Sequence, residues 1–384
     1  MGVNGEIYEP PPGPPPNYPR SYAIDVARQL QPQGWCILSL GSHPHEIYGH
    51  DRTYERYPHV WPAIEDLLAA SKEFFALEAD EKEKFLTRDG SEEGYSSIKG
   101  EKEFITLRRD DADHCPDVLR APAKNAWNAV FGVLNEWMKG IEKVLELPPS
   151  SLTRYTEPCL EMDHHARATM LRLFKYENDG AKLVAEPHMD LGLLSLVVGD
   201  TPGLEVWDTS ITVDGKLQPG WHPIERNFEK GMATLMAGRQ LQYLSRSRFN
   251  PGGHRVMSYG GNSRLIPKNL ETLSPSRTRR LLNRLSLGKP KLPIKEKYRY
   301  SIVFVLRAHE PVHIDYPLLE SPGFSFEDED QNIRTAGELF QRLKRAHFNI
   351  NIGIKEREQQ KKKILADRVS SAIRAPEHEG VTSM

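Results

Sequence analysis

The chain has 384 residues, 38% apolar and 27% charged, with Lys+Arg 51 against Asp+Glu 53 for a net charge of −2. That length allows one large domain or two unequal ones, the composition lies outside the regime of disorder, and the neutral balance gives no electrostatic footprint for nucleic acid. The longest strongly apolar stretch (191–198) is too short to cross a bilayer, no secretory signal is recognisable, and the three scattered cysteines (Cys36, Cys115 and Cys159) form no CxxC, so a cytoplasmic protein with neither a disulfide framework nor a cysteine zinc site is expected.

Residues 1–19 carry a proline cluster, Pro10–Pro12 and Pro14–Pro16, which reads as a solvated polyproline-like tail. A short helix is expected over 23–30, a break at Pro32 and Gly34, then a strand over 35–40. From 61 to 85, Ile64, Leu67, Leu68, Phe74, Phe75 and Leu77 recur at helical spacing, with Pro62 suited to a first turn. A second long helix is predicted over 122–147, its buried stripe built from Trp127, Phe131, Leu134, Trp137 or Met138, Ile141 and Leu145.

After Pro148-Pro149 the pattern changes to short β runs separated by turn residues: 169–176, 191–198, 204–207, 233–236 and 300–306. A helix is expected over 335–348, followed by a highly charged segment containing Lys361-Lys362-Lys363. Helices first and then many short strands predict an α+β protein with a mostly β core, a sandwich or barrel rather than a doubly wound sheet.

The stretch with chemical content is Glu186-Pro187-His188-Met189-Asp190. An H-x-D pair puts an imidazole and a carboxylate on one side of an extended chain, because side chains alternate with period two. With one more histidine these make a facial triad suited to iron(II), with coordination positions left open. By itself the pair also has an ordinary surface reading, since the chain holds 14 histidines among many acids. Gly253-His254-Arg255-Val256 supplies a further histidine. Arg299-Tyr300-Ser301 then opens an apolar run, with Arg299, Ser301, Val303 and Val305 on one face. An inward arginine on an apolar strand requires an anion, either the partner in an ordinary salt bridge at a strand end or a ligand carboxylate, which the Ser301 hydroxyl can bind as well.

The order H-x-D, H-R-V, R-x-S resembles the isopenicillin N synthase-like family of 2-oxoglutarate- and iron(II)-dependent dioxygenases. The run from Asp190 to Leu196 followed by Thr201-Pro202-Gly203-Leu204-Glu205-Val206 is similar to the strand and turn after that family's metal pair. Phe74-Phe75, Glu81-Lys82 and Gly94-Tyr95 look like its helical N-terminal region. The resemblance covers roughly residues 21–348. It implies a distorted double-stranded β-helix (jelly roll) with a helical N-terminal region over 20–150, a core over 151–348, a C-terminal helix, and a charged tail over 349–384. It further implies iron(II) on His188, Asp190 and His254, with 2-oxoglutarate and O2 as cosubstrates. Arg299 and Ser301 would hold the distal 2-oxoglutarate carboxylate, assisted by Tyr176. The expected activity is oxidation, by default hydroxylation, of a small organic molecule in secondary metabolism, with release of succinate and CO2.

The link from His254 to Arg299 is longer than the family's usual short one, so an insertion is expected at about 258–297. It is rich in lysine and arginine, which fits either a solvated basic excursion or a lid favouring an anionic substrate. Three other readings remain. His309-Glu310-Pro311-Val312-His313 satisfies the H-E-x-x-H zinc peptidase pattern, although Pro311 would break the helix that pattern needs. A non-catalytic binding protein could keep the fold. An iron oxidase of the same fold could dispense with 2-oxoglutarate.

Overall fold

The computed structural model describes residues 18–44, 53–55, 57, 59–88, 91–213, 216–260, 297–327 and 332–374. The greater part of the expected insertion, 261–296, and most of the proline-rich segment lie outside them. Helix α1 (Tyr18–Gln33) runs through Pro32 and is longer than its apolar pattern indicated. The helical pattern over 61–85 forms two helices, α2 (Val60–Ala76) and α3 (Ala79–Glu83), because the chain is extended at Leu77. Helix α4 (Asp117–Val144) starts upstream of Pro122, on the carbonyl of Pro116, which accepts from Leu119 N and Arg120 N. Among the described residues the further α-helices are α5 (Arg239–Leu244), α6 (Tyr316–Leu319), α7 (Ala336–Arg345) and α8 (Ile354–Arg374). Among the described residues no helix is long and apolar enough to cross a membrane.

The strands are β1 (Trp35–Ser39), β2 (Ser42–Pro44), β3 (Thr53–Glu55), β4 (Gly94–Ile98), β5 (Lys102–Leu107), β6 (Met170–Glu177), β7 (Ala181–His188), β8 (Leu194–Gly199), β9 (Leu204–Asp208), β10 (Thr212–Val213), β11 (Lys216–Leu217), β12 (Gly220–His222), β13 (Met232–Ala237), β14 (His254–Tyr259) and β15 (Tyr298–Leu306). A seven-stranded sheet has the order β1-β13-β8-β15-β6-β5-β4, and a four-stranded sheet the order β12-β9-β14-β7. All named pairings in both are antiparallel. Side chains of the two sheets (Phe174, Tyr176 and Val197 from the larger, Val184, Val206 and Val256 from the smaller) share one apolar core. This is the expected double-stranded β-helix, an α+β architecture with a mostly β core.

The larger sheet is covered on both faces, and β15 shows how one sequence serves both. Ile302, Phe304 and Leu306 point outward into the helical layer, where the ring of Trp127 on α4 meets Phe304 edge-on at 5.1 Å. Ser301, Val303 and Val305 point inward and line a cavity. Trp127, Phe131, Leu134, Trp137, Met138 and Ile141 are all buried on α4, as the helical stripe requires. Burying side chains of this size at roughly 1.5–3 kcal/mol each is the main force holding the helices on the sheet.

The region expected to be helical before residue 150 also supplies strands. β1, the strand expected over 35–40, pairs with β13, and the unexpected β4 and β5 pair with each other and, through β5, with β6. The charged segment after 349 forms α8. Its Arg357 is buried, pairing with Glu101 of the turn before β5 and, at 3.4 Å, with Glu186 of β7, to which Lys361 is also bonded. Helix α8 thus buttresses the strand that ends at His188.

Candidate active site

β7 ends at His188 and β14 begins at His254, and the two residues are direct cross-strand partners, with ring centroids 4.1 Å apart. His254 also faces Val206 of β9, so it sits in the middle of three strands. Asp190 follows two residues after the end of β7. Its carbonyl accepts from Arg239 N at the start of α5 (2.8 Å), which fixes the loop. One oxygen of Asp190 lies 3.7 Å from His188 Nε2 and 3.9 Å from His254 Nε2. The three candidate ligand atoms all fall within 4.8 Å of one another.

The second ring nitrogens are committed elsewhere. His188 Nδ1 bonds the carbonyl of Glu186 (2.7 Å) and His254 Nδ1 that of Gly252 (3.0 Å). A carbonyl only accepts, so Nδ1 carries the proton and Nε2 presents its lone pair inward. Burial and the neighbouring His254 push the His188 imidazole down, which favours its neutral, ligating form. Burial opposes the charge on Asp190, but His254, His188, Ser195 and Arg172 together hold the carboxyl below its ordinary range. The other Asp190 oxygen, Oδ2, is buried with no partner among the described residues. An unpartnered carboxylate oxygen beside two inward lone pairs fits a divalent cation. A further group with metal-like spacing, Asp163, His164 and His165, lies at the surface, and Arg167 already pairs with its carboxylate.

The triad opens into a cavity of about 820 Å³ that Arg299, Ser301 and Tyr176 also line. Arg299 of β15 and Tyr176 of β6 are register partners, and the guanidinium lies 5.5 Å from the phenol ring. Burial raises the pKa of Tyr176, with Arg299 and Ser301 opposing, so that it stays a phenol. Arg299 is buried, and its required anion is in part the protein's own. Nη2 donates to both oxygens of Glu225 (2.9 Å each) and Nε to the Thr201 carbonyl (2.9 Å). Nη1 is buried without a partner among the described residues, so one edge of the guanidinium remains for a further acceptor.

Two glycines make room for this arrangement. A Cβ on Gly199 would stand 2.3 Å from Arg299 Nη2, and one on Gly203 2.6 Å from its Cδ. The Gly203 and Leu204 amides donate to Glu225 Oε2 at 2.8 Å each. Glu225 escaped the sequence reading because it lies in a short 3-10 turn with no periodicity (Ile224–Asn227). Arg172 was missed as well, although it shares the inner face of β6 with Phe174 and Tyr176 at spacing two. The H-E-x-x-H segment lies in a turn, with Val312 N bonded to His309 O and His313 bridged to Thr335, so its histidines are not on one helical face.

No family model matches the sequence, and no curated protein does. Solved structures match in fold. A putative 2OG-Fe(II) oxygenase family protein from Caulobacter crescentus is 20% identical, with a TM-score of 0.58, over 86% of this chain and 96% of that one. A full-length Neurospora crassa protein, solved in complex with alpha-KG, is 17% identical, with a TM-score of 0.55, over 85% of this chain and 91% of that one. The same protein with alpha-KG and thymine gives 16% identity and a TM-score of 0.55, over 86% of this chain and 93% of that one. The chain therefore has the fold of the 2-oxoglutarate- and iron(II)-dependent oxygenases. Within that class the resemblance is general and singles out no subgroup.

Proposed function

We propose that the protein is a non-haem iron(II), 2-oxoglutarate-dependent dioxygenase that oxidises a small organic molecule. The observation that carries this reading is one cavity holding two unsatisfied demands: the lone pairs of His188 Nε2, His254 Nε2 and the Asp190 carboxylate at one place, and the free Nη1 edge of Arg299 at another. His188, Asp190 and His254 would hold the iron. Bound there with 2-oxoglutarate and O2, iron(II) supplies the oxidising chemistry that hydroxylates a C–H bond, with release of succinate and CO2. Arg299 would receive the distal 2-oxoglutarate carboxylate on Nη1, with Ser301, two residues along β15, and Tyr176, its register partner, donating as well. Glu225 keeps the arginine oriented. Phe174, Val197, Leu204 and Val256 keep the site dry. An anionic substrate was expected from the basic insertion, most of which lies outside the described residues.

Anaerobic loading with Fe(II) and 2-oxoglutarate, followed by oxygen and a screen of metabolite extracts for triggered succinate, tests the proposal. One observation favours a second reading, an iron oxidase of the same fold that needs no 2-oxoglutarate: Glu225 already occupies part of Arg299. Substrate oxidation without stoichiometric succinate would establish that reading instead.

A further inference from the structure

The inner wall of the cavity carries a second group of cations that the triad and the Arg299 site do not use. Arg172 lies on β6 directly opposite Val303, facing inward, and it lines the cavity. Among the described residues its one hydrogen bond runs from Nε to Thr106 Oγ1 (3.0 Å), and no carboxylate lies within ion-pair distance of its guanidinium. Arg307, one residue past the end of β15, pairs through Nη1 with Glu92 at 2.7 Å, while its Nε is buried without a partner among the described residues. Lys344 of α7 lines the cavity as well.

Glu92 is the carboxylate these cations share. Burial would raise its pKa, but Arg307, Arg172 and Lys344 together bring it down to about 2. Arg172, Arg307 and Lys344 face Glu92, and Asp190 is the other carboxylate acting on Arg172, so the group keeps a net positive charge that favours an incoming anion. Arg172 and Asp190 line the same cavity, so an anion held on Arg172 would share it with the triad. Arg172 and Tyr176 share the inner face of β6 four residues apart, so the 2-oxoglutarate affinity of an Arg172 variant separates a substrate anchor from a part in the Arg299 site.

We propose that Arg172, backed by Arg307 and Lys344, anchors the carboxylate of an organic-acid substrate, whose remaining body lies over the triad. The inference rests on the oxygenase reading and adds to it the substrate class and the residue that selects it. The test uses the full chain loaded with Mn(II) and saturating 2-oxoglutarate. Calorimetric titration compares acid and amide partners: phenylacetate with phenylacetamide, hexanoate with hexanamide, and benzoate with benzamide. At least one acid is expected to bind roughly 10-fold or more tighter than its amide, as a charge-assisted contact implies. Arg172→Met should abolish that preference while leaving 2-oxoglutarate affinity within about threefold of the wild type.

No preference in any pair, or a preference that survives Arg172→Met, overturns the proposal. So does a large loss of 2-oxoglutarate affinity in that variant, which would assign Arg172 to the cosubstrate. Should Arg172→Met not fold, Lys344→Met at the half-buried edge of the cluster should reduce the preference, and an unchanged preference there counts against the anchor. Failure of the wild type to bind 2-oxoglutarate would strike the oxygenase reading itself, and the acid–amide comparison run without cosubstrate would still decide the anchor.

Discussion

His188 and His254 face each other across β7 and β14 as direct register partners, each with Nδ1 tied to the carbonyl two residues before it. Backbone pairing thus sets the separation of the two imidazoles and local hydrogen bonds set their rotation, so the lone pairs are aimed before any ion arrives. Losing a partner that merely orients a ligand costs about 10- to 100-fold in metal affinity. Removing a ligand should cost more. Anaerobic Fe(II) titration of His188→Ala, Asp190→Ala and His254→Ala is expected to show affinity losses beyond about 100-fold in each. Wild-type affinity in any of the three would remove that residue from the metal site.

Arg299→Ala should weaken 2-oxoglutarate binding by roughly 10- to 150-fold, the worth of one charge-assisted hydrogen bond. It also strands Glu225 in the interior, so a stability loss of about 3–5 kcal/mol should accompany it. Arg299→Lys should rescue only in part, because an ammonium cannot reach Glu225, Thr201 and a ligand with one planar fork. Equilibrium binding and denaturant midpoints measure the two effects separately. Unchanged 2-oxoglutarate affinity in the alanine variant would refute the assignment.

Gly203→Ala should reproduce much of that binding defect without touching a polar group. Its new Cβ would overlap the Arg299 side chain and push the guanidinium off Glu225. A loss of about 10-fold in 2-oxoglutarate affinity is expected, near the lower bound for a single charge-assisted contact. Iron affinity should stay as in the wild type, since the triad lies on other strands.

Lys102 is buried on β5, with Nζ bonded to the Ile350 carbonyl (3.1 Å). Burial lowers its pKa from 10.5 to about 7, with Glu101 opposing and Arg357 reinforcing the shift. A lysine with a depressed folded pKa binds fewer protons in the folded than in the unfolded chain. Its contribution to stability therefore rises with pH from about 7 toward 10.5, by at most about 1.4 kcal/mol per pH unit. Denaturant melts at pH 7 and pH 9 should show this rise in the wild type and a flatter profile in Lys102→Met. Equal slopes in both would show that Lys102 is not the titrating group.

All three cysteines are free and buried. Burial pushes Cys36 and Cys115 up to about 12 and raises Cys159 too, so almost no thiolate is present near neutrality. A disulfide-exchange reagent at pH 8 should modify none of them in the folded protein and all of them after denaturation. Fast native labelling at any one would contradict the buried placement.

The β core could be read from the sequence because its strands alternate or run continuously apolar, and the nearness of His188, Asp190 and His254 because an H-x-D pair at a strand end needs only one facing histidine. β4 and β5 were less visible. β5 is buried on almost every residue, so period two is lost, and it opens with a lysine. Glu225 and Arg357 could not be found by pattern. Each is a charged residue whose burial makes sense only once a distant partner, Arg299 in one case and Glu101 with Glu186 in the other, is in place.

The strand order of the larger sheet has a consequence for biosynthesis. β15 lies between β8 and β6, bonded to both, although it is the last of the sheet's strands to leave the ribosome. Until residues 298–306 emerge, β6 and β8 each present an unpaired apolar edge, the kind of surface on which nascent chains associate wrongly. Chains stalled before that point should depend on chaperones and form inclusion bodies, whereas chains released after it can close the sheet in one step. The same strand carries Arg299 and Ser301, so completing the sheet and completing the proposed 2-oxoglutarate site are a single event.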